Sequence, residues 1–271
     1  MKVVYFGYDP LSTCLEVFLQ QGHELVVIYT GENNQFSDKV IQLASKHNLE
    51  LCFDKPTLSA MQLLVDSGVE MFFSAEFPWK IPLPADLKYA INVHPTLLPE
   101  GRGMTPLPQL ILKQSIYAGI TLHKLNNEFD TGDILLQQSI LLDEEESFDS
   151  LSSKVLQQTP DLLLRLLSDL DNYYLNSQTQ GEGSYWPTIT RQQQTLDWQQ
   201  PSDVLLATLR AFGSLGTYAD ISGKTCVITS ASAKRYKHNY SAGQIILDTN
   251  QHLLIATIDG ELCIPKESLL C

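Results

Sequence analysis

Positive charge is what this chain has least of. Eighteen Lys and Arg stand against 31 Asp and Glu in 271 residues, for a net charge of −13. A protein that grips nucleic acid by its phosphates needs a Lys/Arg surface. The deficit is uneven: residues 201–271 hold six basic and six acidic residues, so residues 1–200 carry the whole excess. The one basic cluster, "AKRYKH" with Lys234, Arg235 and Lys237, is accounted for by a solvated turn. Long apolar runs are also missing, and none reaches the roughly 18 residues that span a bilayer. The opening "MKVVYFGYDP" reads as a buried first strand rather than a signal peptide. Cysteine is sparse and scattered, and Cys14, Cys52, Cys226, Cys263 and Cys271 form no C-x-x-C pair. That pattern implies reduced thiols, a cytoplasmic protein and no metal site. No internal repeat stands out, and without a G-x-G-x-x-G turn a dinucleotide site is weakly supported.

The first half alternates strand-like and helix-like segments. "KVVYF", "ELVVIYT", "LELCF" and "EMFFS" read as buried strands, separated by the helical "TCLEVFLQQG", "FSDKVIQLASKHN" and "SAMQLLVDSG". Such alternation implies an α/β domain with a mostly parallel sheet. Further on, "AGITLHKL" and "DILLQQSILL" are strands flanking the loop "NNEFDTG", and a long helical stretch is expected to be interrupted at Pro160. "NSQTQGEGSYWPT" reads as a linker or surface crossing. Beyond it, one helix and four short strand-like runs with "SG", "DTN" and "DG" turns suggest a small antiparallel barrel. The expected division is a domain over 1–185, a linker over 186–200 and a second domain over 201–271.

Ligands of parallel sheets bind at the carboxyl ends of the strands, and one such end is chemically unusual. In "INVHPTLLPEGRG" (91–103), Asn92 and His94 project to one side of a strand and Pro95 then forces the chain out of the sheet. An amide N–H and an imidazole aimed together can stabilise a developing oxyanion or move a proton. Downstream, "EFDTGDI" places Asp130 in a tight turn, where it would orient the His94 ring and favour its charged form. Asp133 is a candidate support for that loop. His123, on "ITLHKL", reads as a packed strand histidine.

These segments resemble the 10-formyltetrahydrofolate-dependent formyltransferases, which include methionyl-tRNA formyltransferase and the sugar-nucleotide N-formyltransferases. Their Asn-x-His-Pro-Ser-Leu-Leu-Pro motif, Arg-Gly turn, Gly-(Val/Ile)-Thr-x-His strand and Asp-x-Gly loop read here as "NVHPTLLPEGRG", "AGITLHKL" and "EFDTGDI". The resemblance implies a Rossmann-like catalytic domain and an OB-like C-terminal barrel. It implies Asn92, His94 and Asp130 as the catalytic trio, with Asn92 and His94 as oxyanion donors. It implies a folate pocket walled by Phe77, Trp79 and Ile81 on one side and by Glu128 and Phe129 on the other. Tyr8, Asp9, Thr96 and Arg102 fall on the acceptor side. Two departures stand out: Thr96 replaces the usual Ser, and Glu100 and Gly101 precede Arg102 where a Lys/Arg and a Tyr are common. The acid beside the acceptor channel suggests an unusual acceptor amine.

The resemblance therefore leads to an enzyme moving a formyl group from 10-formyltetrahydrofolate to a primary amine. A small molecule, either a sugar-nucleotide amine or an amino-acid-like amine, suits an acidic chain better than methionyl-tRNA, whose polyanion needs a positive channel. The loop "GENNQFSDK" offers a single basic residue toward one. A formyl-folate hydrolase would use a similar constellation with water as acceptor. An aspartic protease is set aside because only one Asp-Thr-Gly occurs. The general base and the oligomeric state are not legible in the sequence.

Overall fold

Val3, Val4, Tyr5 and Phe6 are completely buried, and they belong to the strand β1 (Lys2–Gly7) in the interior of the larger sheet. The computed structural model describes residues 1–32 and 36–271; residues 33–35, inside the acidic loop "GENNQFSDK", lie outside the described residues. Two compact units divide the chain. The first comprises Met1–Pro106, Tyr117–Leu141 and Ser153–Trp186; the second comprises Leu107–Ile116, Leu142–Ser152 and Pro187–Cys271.

In the first unit β1 is followed by α1 (Thr13–Gln20), β2 (Glu24–Tyr29), α2 (Asp38–His47) and β3 (Glu50–Cys52). Then come α3 (Leu58–Asp66), β4 (Met71–Ala75) and β5 (Tyr89–His94). After α4 (Pro106–Leu112), all but its first residue assigned to the second unit, β6 (Gly119–Lys124) and β7 (Ile134–Ser139) complete the first unit's seven-stranded sheet, ordered β3-β2-β1-β4-β5-β6-β7. The first five strands are mutually parallel, and β6 and β7 add as an antiparallel edge. Continuous apolar runs suit strands covered on both faces. Val4, Phe6 and Phe72 pack with Met61 of α3 on one face, while Phe73 meets Phe18 of α1 in an edge-to-face contact on the other.

Helix α5 (Phe148–Ser168) runs unbroken through Pro160, where the sequence suggests an interruption. Proline removes one N–H, and the neighbouring turns hold the helix; Thr159 Oγ1 donates to the Val155 carbonyl at 2.7 Å, one residue before the gap. A short α6 (Leu170–Leu175) follows.

The second unit carries α7 (Ser202–Phe212) and two antiparallel sheets. One contains β8 (Thr217–Ile221), β9 (Lys224–Ile228) and β14 (Leu269–Leu270). The other contains β10 (Ser232–Arg235), β11 (Ile245–Asp248), β12 (His252–Ala256) and β13 (Gly260–Pro265). Both close over one core that includes Ile228, Ile255, Leu262 and Leu209, giving the small barrel. "HLLIATIDGELCI" is two strands rather than one, because Asp259-Gly260 turns the chain back into a hairpin.

The expectation of five reduced thiols is corrected here. Leu270 pairs with Val227, which brings Cys271 opposite Cys226, and the two form a disulfide with a Cα–Cα distance of 4.2 Å. Cys14, Cys52 and Cys263 remain free thiols. Among the described residues no helix is long and apolar enough to cross a membrane.

Candidate active site

Pairing between β5 and β6 builds the site. Asn92 lies opposite His123 and His94 opposite Thr121, so the amide and both imidazoles share one face of the sheet near its carboxyl end. Asn92 is partly open, whereas His94 and His123 are 5% and 1% exposed. Asp130 follows β6 in a left-handed conformation (φ 58°) and turns its carboxylate toward both rings. Its Oδ1 lies 3.4 Å from His94 Nδ1 and 3.8 Å from His123 Nε2, and its Oδ2 accepts from the Gly103 N–H at 2.9 Å.

Hydrogen-bond accounting assigns the protons. His123 Nδ1 lies 2.8 Å from the Lys124 carbonyl, which can only accept, so that nitrogen donates. His123 Nε2 is then left to accept the Asn92 amide at 3.0 Å. Burial disfavours the charged ring, and with help from neighbouring His94 it outweighs the pull of Asp130 and pushes the His123 pKa down to about 4. The reading of His123 as a packed strand histidine is therefore incomplete: it fixes the orientation of the Asn92 amide and leaves the second Asn92 N–H to point elsewhere. His94 Nε2 donates to the Gly101 carbonyl at 2.9 Å, and its Nδ1 faces Asp130, so both ring nitrogens face acceptors.

The loops around the trio are clamped by residues 178–186, in the segment read as a linker or surface crossing. Gln178 exchanges two 2.8 Å backbone bonds with Ile134, and Arg102 bridges to Ser184 and Trp186 at 3.0 and 2.7 Å. Gln180 Oε1 accepts from Arg102 Nε and Nη2 at 3.1 and 2.9 Å. The same amide donates to the carbonyls of Asp130 and Gly132 at 3.0 and 2.6 Å. This strap has no signature in the sequence, since its work is done by backbone groups and one amide. Glu100, read as an acid beside an acceptor channel, accepts from Ser184 of the strap through its carboxylate. Asp133 accepts from Ser177 at 3.1 Å.

The remaining candidates separate into two groups. Phe77 is buried and edge-on to Trp79, and Ile81 packs against the same apolar cluster. Lys80 reaches from this loop across to the other wall, donating to the Asn127 carbonyl at 3.0 Å and lying 5.7 Å from the Phe129 ring centroid. The structure thus brings 77–81 and 127–129 together, with Phe129 47% exposed and Glu128 exposed beside it. On the other side, Tyr8 stacks on Phe77 with centroids 6.5 Å apart. Asp9 Oδ1 accepts from Val40 N at 2.8 Å, capping α2, and Thr96 is fully buried with its hydroxyl donating to the Glu100 carbonyl. These two carry structure at least as much as they face any ligand.

Comparison with known proteins decides the family. The formyl transferase family model matches residues 83–167, and the formyl transferase C-terminal domain model matches residues 188–269, together spanning more than half of the chain in the order the family requires. The chain belongs to the formyltransferase family. Methionyl-tRNA formyltransferase of Coprothermobacter proteolyticus is 26% identical over 97% of this chain and 90% of its own length. An N-formyltransferase from Helicobacter canadensis, solved with folinic acid and dTDP-3-aminofucose, superposes with a TM-score of 0.72 at 19% identity, covering 98% of this chain and 99% of that one. HypX from Aquifex aeolicus, solved with tetrahydrofolic acid, gives 0.70 at 18% over 97% of this chain but only 43% of that longer one. At these identities the two structures establish the shared fold. In this formyltransferase Asn92, His94 and Asp130 lie on the first matched segment.

Proposed function

We propose that this formyltransferase uses Asn92, His94 and Asp130 to move the formyl group of 10-formyltetrahydrofolate onto a primary amine of a small molecule. The observation that carries the reading is the convergence of the three side chains at the end of β5, with the Asn92 amide oriented by neutral His123. The walls suit the donor: a flat, partly polar ring system fits apolar side chains that leave ring surface uncovered, as Trp79 and Phe129 do here.

10-Formyltetrahydrofolate supplies a formyl group on an anilinic nitrogen. The Asn92 N–H not taken by His123 donates to the formyl oxygen as the amine adds and negative charge develops there. A donor of this kind contributes about 10²–10³ in rate. Collapse then breaks the bond from the formyl carbon to the anilinic nitrogen, which leaves as tetrahydrofolate carrying a proton equivalent to the one the amine gives up. Asp130 Oδ1, 3.4 Å from His94 Nδ1, holds the ring so that Nε2 can donate when the Gly101 contact opens. The strap keeps both loops in place, so little reorganisation is needed at the reacting centre.

Two observations support a small acceptor over methionyl-tRNA. Net charge is −13, and the barrel's basic residues are partly spent: Arg235 pairs with Asp203 and lies 3.4 Å from Asp259, while Lys266 pairs with Asp248 at 2.5 Å. The competing reading rests on the full-length sequence relatives, which are methionyl-tRNA formyltransferases. The test follows tetrahydrofolate formation from 10-formyltetrahydrofolate with aminosugar nucleotides, dibasic amino acids and methionyl-tRNA. Turnover with a small amine is expected; turnover with methionyl-tRNA alone would overturn the small-acceptor reading, and release without amine would mark a formyl-folate hydrolase.

A further inference from the structure

The formyl donor is charged at one end. Its pterin and anilinic portions are neutral, whereas its glutamate tail carries an α- and a γ-carboxylate, and one carboxylate more for every γ-linked glutamate added. A chain of net charge −13 repels such a tail at long range, so a resting place for it needs cations fixed close by. Two lysines stand at the proposed donor slot. Lys80 belongs to the 77–81 wall, and its Nζ donates to the Asn127 carbonyl at 3.0 Å and lies 5.7 Å from the Phe129 ring centroid. Lys55, in the loop between β3 and α3, sets its Nζ 5.5 Å from the Trp79 ring centroid. Each ammonium is within cation–π range of one ring of the slot.

These contacts hold the two lysines in place without neutralising them. A ring and a carbonyl carry no formal charge, and Lys80 keeps two of its three N–H donors after the Asn127 bond. By contrast Lys2, Lys88 and Lys124 lie 3.9, 3.3 and 3.5 Å from the carboxylates of Glu24, Asp171 and Asp133. The lysines also stand at the right end of the slot. Phe129 precedes Asp130, whose carboxylate lies 3.4 Å from His94, so the trio marks the inner end and the formyl-bearing nitrogen belongs there. Phe129 is 47% exposed, and Lys80 and Lys55 are exposed, which makes this the wet end. Of the donor's two ends, the ionised tail is the one that costs most to bury. Glu128 shares the mouth and opposes the two cations, as does Asp54 beside Lys55 in the chain.

We propose that Lys55 and Lys80 form a carboxylate-binding subsite for the glutamate tail of the donor. The enzyme then favours 10-formyltetrahydrofolate bearing several glutamates over the monoglutamate. This rests on the formyl-transfer reading and on the two walls holding the donor, and it extends the site along the donor's tail. Each pairing is a charge-assisted contact at an exposed mouth, so the preference is modest and sensitive to salt.

The test is isothermal titration calorimetry with tetrahydrofolate carrying one or three glutamates, alongside steady-state kinetics with the matching 10-formyl donors and the amine that turns over. Wild type should bind the triglutamate about 3–10-fold more tightly, as two solvent-exposed ion pairs allow, and about 300 mM NaCl should shrink that ratio. Lys55→Met/Lys80→Met should bring the ratio below about 2 and leave the acceptor KM within about twofold. Lys80→Arg should preserve the ratio, and Glu128→Gln should raise it. Loss of the Asn127 bond alone would weaken both folates equally. An unchanged ratio in the double variant would therefore overturn the subsite, as would equal affinities in wild type, and either leaves formyl transfer standing. No folate binding and no turnover with any amine would instead remove the formyl-transfer reading beneath it.

Discussion

His94 and His123 are two buried imidazoles on one sheet face, and they carry different protons because their neighbours differ. The Lys124 carbonyl fixes one tautomer of His123, while the Gly101 carbonyl and Asp130 engage both nitrogens of His94. If His123 orients Asn92 by accepting from it, His123→Phe should lower kcat by roughly 10–100-fold, and His123→Gln, which keeps an acceptor, should recover part of that. A filler that only packs would show the reverse order. His123 also titrates. Its folded pKa of about 4 lies below the ordinary 6.5, so the unfolded chain binds the proton first as pH falls. Its contribution to stability is whole above pH 6.5 and lost progressively toward pH 4. Thermal melts should show wild type losing more Tm than His123→Gln over that window. Glu76 has the opposite sign. Its folded pKa of about 7 lies above the model-peptide 4.5, so ionisation destabilises the folded state as pH rises from 4.5 to 7. Glu76→Gln should therefore gain Tm at pH 8 and gain none at pH 4.

At the scale of elements, strands and loops were unequally legible. The apolar runs gave β1, β2 and β4 nearly to the residue, because a strand buried on both faces has few other readings. Asn92 and His94 drew attention as polar groups at a strand end that should be apolar, while Asp130 came from the resemblance, and the structure brings its carboxylate to His94. Residues 178–186 were not legible, since a Gly/Ser/Gln/Thr-rich segment looks alike whether it floats or clamps a loop. Gln180→Ala should cost about 1–3 kcal/mol and reduce kcat about tenfold, through the lost hold on Arg102 and Asp130. Gln180→Glu keeps the acceptor for Arg102 but loses both donations, and should impair kcat more than stability. Gly132 shows how tight that loop is, because an added Cβ would lie 1.8 Å from the Lys124 carbonyl. Gly132→Ala should destabilise by more than about 3 kcal/mol, whereas Gly181→Ala on the strap, with nothing within 4 Å, should be near neutral. Circular-dichroism melts of the two alanine variants compare them directly.

At the scale of the molecule, net charge and one cross-link stand out. The disulfide was missed because β14 is two residues long, too short to read as a strand, and only its register sets Cys271 against Cys226. Net charge was legible, and it bears on the acceptor. An acceptor bound through several phosphates loses affinity steeply with salt, whereas a small amine loses it gently. Acceptor KM should therefore change less than about fivefold between 50 and 300 mM NaCl.

The most direct measurement is the rate of tetrahydrofolate formation at saturating donor and amine in Asn92→Ala, His94→Asn and Asp130→Ala, with folding checked by circular dichroism. Each should fall by at least about 10² while donor binding holds. Near wild-type rates in two of the three would place the chemistry elsewhere and contradict the account.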